Sequence, residues 1–163
     1  MLQRADAESR LTHDDHLSVR VWLRLLSCTN LVERRVAARL RDAFDTTLPR
    51  FDFLSQLERC PGGLRMTEIS QRMMVTGGNV THLAEQLLAE GLITRAVAPG
   101  DRRASIVKLS AAGRRAFAEM ARRHEEWIVA MFAGLAESER TQLFALLAKL
   151  KGHLNAESDG PSR

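Results

Sequence analysis

The sequence predicts a mainly α-helical fold carrying one small β-hairpin, and three observations lead there. Apolar residues recur at three- and four-residue steps along most of the chain, the period of amphipathic helices. One stretch, ITRAVAPGDRRASIVKLS, instead reads as two short extended segments around Pro99-Gly100-Asp101. The helices expected at the two ends are more apolar than a small domain needs for itself, which points to association between copies. Together these predict a winged helix-turn-helix with long dimerisation helices at both termini.

The elements follow in order. Residues 1–13 are polar and aperiodic and are expected to be flexible. Asp14 or Asp15 can cap the first helix, whose stripe is Trp22, Leu25, Leu26, Thr29, Val32, Val36 and Leu40. Arg34, Arg35, Arg39 and Arg41 crowd its second half as a solvated face. Thr46-Thr47 breaks the pattern, and Pro49 opens a second helix, PRFDFLSQLER, in the first turn where its missing N–H costs nothing. Cys60-Pro61-Gly62-Gly63 ends it. Thr67 is expected to cap a third helix with Ile69 and Met73 inward, and Met66, Met73 and Met74 read as core filler.

A fourth helix is expected from Thr76, with Val80, Leu83, Ala84, Leu87 and Leu88 as its buried stripe and Gly91 as its left-handed end. Ile93, Ala96 or Val97, and then Ile106, Val107 and Leu109, form the hairpin strands. Ser110 caps a long helix with Phe117, Met120, Ala121, His124, Ile128, Met131 and Leu135 on one face. A last helix carries Leu143, Leu146, Leu147, Leu150 and Leu154, of which Leu143, Leu147, Leu150 and Leu154 are the dimerisation candidates. The expected organisation is one domain over 14–153, with a lobe at 47–109 between dimerisation helices at 14–45 and 110–153, and a flexible end at 154–163.

Composition sets the outer limits. The chain has 163 residues, a formal charge of +4 and 45% apolar residues, enough to bury a core. Its 24 basic residues are almost all arginine, with Lys108, Lys149 and Lys151 the exceptions. Arginine's planar fork suits phosphates and guanine edges, though a genomic base bias gives the same skew. Two cysteines, Cys28 and Cys60, fit a reduced compartment better than a disulfide framework. With no leader-like start and no long apolar run, a cytoplasmic protein with no membrane association is expected. No Gly-rich phosphate loop, metalloprotease motif or nucleophile elbow occurs, so neither enzyme activity nor a cofactor is expected. THDDH (residues 12–16) could be imagined as a metal site, but no third ligand group lies nearby in sequence, and a frayed or capping N-terminus is the better reading.

The fourth helix carries the functional signal. Projected at helical pitch, its outer face holds Gly78, Asn79, His82, Glu85, Gln86 and Ala89, with Thr81 on the flank. The N-terminal half of that face is small, polar and free of acid, as a helix entering a DNA major groove requires. Asn can pair bidentately with adenine, while His or Thr can donate to a base or phosphate. Gly77 and Gly78 each cost about 1 kcal/mol of helix propensity relative to Ala, a cost offset if they permit close backbone approach. Arg102 and Arg103 at the hairpin tip suit a narrow minor groove, and Asp101 can hold the turn or an arginine in place.

In this order of elements, and in GDRRASIVKLSAAG above all, the chain resembles the MarR (multiple antibiotic resistance regulator) family over about residues 16–153. The Asp-Arg-Arg wing, the apolar strand and the Leu-Ser-x-x-Gly helix start carry that resemblance. It implies a DNA-binding regulator in which the fourth helix is the recognition helix. Thr76, Gly78, Asn79, Thr81 and His82 would contact DNA there, joined by Arg95 and by the wing residues Asp101, Arg102 and Arg103. Met74 stands where relatives often place a turn glycine, and Ala136 replaces the usual Ser or Thr cap of the last helix. That replacement costs about 1 kcal/mol of capping unless Ser138 caps instead. Some relatives sense oxidants through a cysteine near the start of helix one, but Cys28 lies about a turn too far along. A buried structural thiol is the expectation for both cysteines.

The resemblance also implies a small-molecule effector between the dimerisation helices and the DNA-binding lobe. Candidate lining residues are Trp22, Leu26, Ser27, Arg50, Phe51, Phe53 and Met120, each apolar member serving equally well as plain core. VTGGNVTHLAEQLLAEGL resembles the segment of relatives controlling aromatic-acid catabolism, which points to an aromatic acid or its CoA thioester. The expectation is therefore a homodimeric, ligand-responsive repressor of a pseudo-palindromic operator. The alternatives are a protein-interaction module or a thiol redox-sensing regulator on the same scaffold.

Overall fold

The computed structural model describes residues 17–73, 77–98 and 101–158. In chain order these form α1 (Leu17–Phe44), α2 (Leu48–Glu58), β1 (Leu64–Arg65), α3 (Met66–Met73) and α4 (Gly77–Ala89). The hairpin strands β2 (Ile93–Ala98) and β3 (Asp101–Leu109), then α5 (Ala111–Met131) and α6 (Glu137–Ser158), complete the series. They make two compact units, one ending at His124 and the other beginning at Glu125.

The first unit packs around α2. Phe53, Leu54 and Leu57 of α2 are buried, together with Leu40 of α1, Ile69 of α3, Val80 and Leu87 of α4 and Val107 of β3. Pro49 sits in the first turn of α2, as expected, after Thr47 in extended backbone. Upstream, α1 closes through Asp45 at φ 49, whose N–H donates to the Arg41 carbonyl at 3.0 Å. Only Val36 and Leu40 of α1 are buried. The capping position expected at Asp14 or Asp15 lies outside the described residues.

Three expectations need correction in this unit. The sheet has three strands in the order β1-β3-β2, because two residues before α3 pair antiparallel with β3: Leu64 opposite Val107 and Arg65 opposite Ile106. A two-residue strand is too short to leave an alternating pattern, so nothing local announces it. Gly63, at φ +91, lets the chain pass tightly over β3; a Cβ there would lie 2.7 Å from Lys108 Cγ and 2.8 Å from the Val107 carbonyl oxygen. Second, α3 begins at Met66, so Thr67 lies within its first turn and does not cap it. Because β1 runs straight into α3, Arg65 takes the cap position, and its N–H donates to Glu68 Oε2 at 2.6 Å. Third, Leu88 is 42% exposed and falls outside the buried stripe of α4, which consists of Val80, Ala84 and Leu87 with Leu83 half-buried.

The end of α4 matches its signal. Gly91 adopts φ +70, the Leu92 N–H donates to the Leu87 carbonyl at 2.9 Å, and the Gly91 N–H donates to the Leu88 carbonyl at 3.0 Å. This is the paired-bond helix ending that glycine permits. The hairpin follows in antiparallel register from Ile93 opposite Leu109 to Val97 opposite Ser105, with a shift between Val97 and Ala98.

Ser110 then ties two helix ends together. Its N–H donates to the Leu92 carbonyl at 3.0 Å, and its hydroxyl donates to the Gly91 carbonyl at 2.7 Å. That hydroxyl also accepts the Gly113 N–H at 2.9 Å, the N-cap expected for α5. Gly113 is buried directly against Leu92: a Cβ would overlap the Leu92 carbonyl oxygen and lie 2.8 Å from the carbonyl carbon. Further along α5, Phe117 and Met120 are buried. The Phe51 ring lies 5.4 Å from that of Phe117 and 4.9 Å from that of His124, so α2 and α5 meet through a tilted ring cluster. Burial lowers the His124 pKa, opposed by the nearby Asp52 charge. Burial likewise raises the Asp52 pKa, and Glu33 adds to the rise while His124 and Arg59 oppose it.

In the second unit Trp127 is buried, a core residue the helical pattern did not single out, and Ile128, Met131 and Leu135 are half-buried. Leu135 lies in the turn beyond α5. The start of α6 is closed by Glu139, whose Oε2 accepts the Ala136 N–H at 2.7 Å, so Ser138 is not the substitute cap. Residues 155–158, part of the segment expected to be flexible, continue α6 to Ser158. Leu147, Leu150 and Leu154 are 39%, 41% and 52% exposed in the single chain. Among the described residues no helix is long and apolar enough to cross a membrane.

Gly113→Ala forces the Leu92 backbone away from α5, so it should destabilise the protein by about 1–3 kcal/mol, read as a lower denaturant midpoint with unchanged slope. His124 gives a second expectation. A histidine whose folded pKa is lowered binds its proton more readily when unfolded, so stability falls as pH drops below the ordinary histidine value of about 6.5. His124→Gln should remove that part of the decline; melting curves across mildly acidic pH that coincide in shape for parent and variant would refute it.

Candidate nucleic-acid interface and cleft

The first turns of α4 present backbone and small polar groups outward. Gly77, Gly78, Asn79, Thr81 and His82 are all exposed. A Cβ on Gly77 or Gly78 would meet no atom within 4 Å, so packing within this chain does not demand glycine at either position. The Thr81 hydroxyl donates to the Gly77 carbonyl at 3.0 Å, and His82 Nε2 lies 3.0 Å from Gln86 Nε2 one turn on. The buried trio Val80, Ala84 and Leu87 fixes the helix rotation, turning Asn79 and His82 to solvent. Thr76 lies outside the described residues.

The hairpin projects from the same unit. Arg95, exposed on β2, donates through Nε to Ser105 Oγ of β3 at 2.8 Å, a cross-strand bond near the base of the wing. Asp101, Arg102 and Arg103 open β3 by their backbone, and their side chains fall outside the described part.

The cysteines differ from expectation. Cys28 is exposed on α1 and Cys60 is half-buried after α2, so neither is a fully buried structural thiol. Exposure follows for Cys28 because the burial of α1 is confined to its second half. Arg72 Nη1 of α3 donates to Cys60 Sγ at 3.0 Å. Twelve residues separate the two, and no sequence spacing advertises the contact. Among the described residues no His, Cys, Asp and Glu grouping suits a metal ion, and THDDH lies outside them.

A cleft of about 510 Å³ opens where the end of α1, α2, the end of α4 and the first turns of α5 meet. Phe44, Leu54, Leu92, Ala116 and Met120 supply apolar wall; Asp45, Arg50, Glu90 and Glu119 supply charge. Arg50 Nη2 is ion-paired with Glu90 Oε2, while Arg50 Nε is buried with no hydrogen-bond partner. Glu119 is held below its ordinary pKa by a hydrogen bond from Arg122. Of the foreseen effector residues, Arg50 and Met120 share this cleft. Phe51 and Phe53 are buried in the core, and Trp22, Leu26 and Ser27 are exposed on α1 and do not line it.

Comparison with known proteins is consistent with this geometry. Residues 44–104, which hold the end of α1, the helix-turn-helix and most of the wing, match a family model described as MarR family. The chain is 29% identical over 92 residues to the HTH-type transcriptional regulator YkoM of Bacillus subtilis, spanning 56% of this chain and 60% of that protein. The crystal structure of a MarR family transcriptional regulator from Silicibacter pomeroyi superposes with a TM-score of 0.71 at 26% identity, covering 83% of this chain and 94% of that one. AbsC, a MarR family transcriptional regulator from Streptomyces coelicolor, shares the fold with a TM-score of 0.74 at 20% identity, covering 90% of this chain and 99% of its own. Over residues 44–104 the chain is therefore similar to the MarR family, and its fold is that of MarR family transcriptional regulators.

Proposed function

We propose that the protein is a DNA-binding transcriptional regulator, acting in the cytoplasm as a homodimeric repressor that a small molecule releases, and not an enzyme. The observation that carries this is the outer face of α4: two glycines with open space around them, then Asn79, Thr81 and His82 exposed on a helix whose opposite face is buried. A protein surface gains nothing from two helix-weakening glycines there, whereas a duplex gains close approach to its base edges. The wing adds arginines at 95, 102 and 103 for phosphate or minor-groove contact. Footprinting on DNA flanking the gene tests the reading. A protein-interaction module of the same fold would show no salt-dependent, sequence-selective protection.

Dimerisation is supported by apolar side chains left uncovered in the single chain: Trp22 and Leu26 on α1, and Leu147, Leu150 and Leu154 on α6. Two recognition helices about one DNA turn apart would then read successive major grooves of a pseudo-palindrome. For the effector, the expected aromatic acid or CoA thioester has one cationic partner in the cleft, Arg50, already engaged by Glu90. A carboxylate could reach it by displacing Glu90, the residue just past the last turn of α4. Such an exchange would couple occupancy of the cleft to the recognition helix.

Asn79→Ala should lose up to about 1–3 kcal/mol of discrimination at one base position per half-site, relaxing sequence choice. Arg102→Ala should weaken binding evenly across sequences and flatten the salt dependence, since phosphate contacts carry no base information. Selections on randomised half-sites compare the two; an Asn79→Ala protein with the parent's preference at every position would remove α4 from the reading role. Leu147→Arg would place an unpaired charge in the proposed dimer interface and should split or unfold the dimer. A folded dimer carrying Leu147→Arg, seen by light scattering, would put the interface elsewhere.

A further inference from the structure

We propose that Arg72 binds a backbone phosphate of the DNA, with Cys60 as its positioning residue; this rests on the reading of α4 as the recognition helix. The helix before a recognition helix crosses the phosphate backbone when the second helix enters the groove. Here that helix is α3. It buries Ile69, half-buries Met66, Ser70 and Met73, and leaves Thr67, Glu68, Gln71 and Arg72 exposed on the opposite face. Arg72 stands in its last turn, shortly before Gly77 and the small polar start of α4 in the chain. The one carboxylate on that exposed face, Glu68, is occupied by the Arg65 N–H, which draws it to the far end of the helix.

The partner of Arg72 supports a phosphate role. Arg50 and Arg122 are paired with carboxylates, which cancel their charge. Arg72 donates instead to the sulfur of Cys60 at 3.0 Å. Sulfur is a weak acceptor, so the bond orients the guanidinium without neutralising it and leaves further N–H groups for an anion. A long exposed arginine ordinarily loses much rotamer freedom on gripping a phosphate; one already held by Cys60 loses less. The 60–63 turn that presents the thiol is itself closed by the Gly63 N–H donating to the Cys60 carbonyl at 2.8 Å. Cys60 therefore offers a fixed anchor.

The test is fluorescence anisotropy with the full chain and a duplex selected from a randomised pool, repeated across a salt series. Arg72→Ala should lower affinity about tenfold and reduce the slope of log K against log salt by about 1, with Arg72→Lys restoring the slope. Cys60→Ala should lower affinity roughly threefold with the slope kept, Cys60→Ser should stay near the parent because it retains an acceptor, and Cys60→Ala should add nothing in an Arg72→Ala background. Melting temperatures of all variants, and the two conservative replacements, separate these effects from misfolding. An Arg72→Ala protein with the parent's slope overturns the phosphate contact. An equal loss from Cys60→Ala with and without Arg72 overturns the positioning role. A parent chain with no salt-dependent DNA binding overturns the recognition-helix reading, and this inference with it.

Discussion

The arrangement of α4 and the wing depends on one joint, where the end of α4 is bonded to the start of α5. A single serine makes it: Ser110 Oγ holds the Gly91 carbonyl and the Gly113 N–H, while its own N–H reaches the Leu92 carbonyl. Because Gly113 has no side chain, the first turn of α5 can lie directly on the Leu92 backbone. The wing begins at Ile93 and returns at Leu109, which are register partners, so the same joint sets the base of the hairpin. The fourth helix, the wing and the long helix α5 thus share one anchoring point.

Much of this was readable from the chain because the signals are local. Gly91 past an apolar stripe, Pro49 after Thr47 and Ser110 three residues before Gly113 each act through bonds spanning a few residues, and each formed as expected. The stripe on α4 was readable for the same reason, except at Leu88, whose turn away from the core depends on what packs nearby. Where the reading failed, the cause is distance along the chain or a competing local donor. β1 exists only because β3, some forty residues later, supplies its partners. Thr67 looked like a cap until that strand pushed the helix start back to Met66, where Glu68 could close it.

The candidate site divides along the same line. Asn79, Thr81 and His82 could be assigned to the outer face because a helix projects its side chains at fixed angles once its buried face is known. The effector residues could not, because a cleft is built from separate elements. Arg50 and Glu90 are forty residues apart, and their pairing joins α2 to the residue just past α4. Phe53, plausible as a pocket aromatic by type, is fully buried. Residue chemistry alone cannot tell a pocket wall from a core when both are apolar.

The charge of the cleft bears on how a ligand could act there. Asp45, Glu90 and Glu119 face one arginine, and Glu119 is already stabilised as a carboxylate by Arg122. An anionic ligand therefore meets repulsion unless it takes over Arg50, whose Nε is buried with no hydrogen-bond partner. A ligand carboxylate able to engage both Nε and Nη2 would satisfy that orphan atom while freeing Glu90. Glu90 follows Ala89, the last residue of α4, and precedes Gly91, whose carbonyl Ser110 holds. Freeing it would remove the ion pair to α2 and leave the Gly91 carbonyl still bonded to Ser110. Bidentate geometry at Arg50 would favour a carboxylate in this cleft, and the apolar wall of Phe44, Leu92 and Met120 would limit the size of molecule accepted.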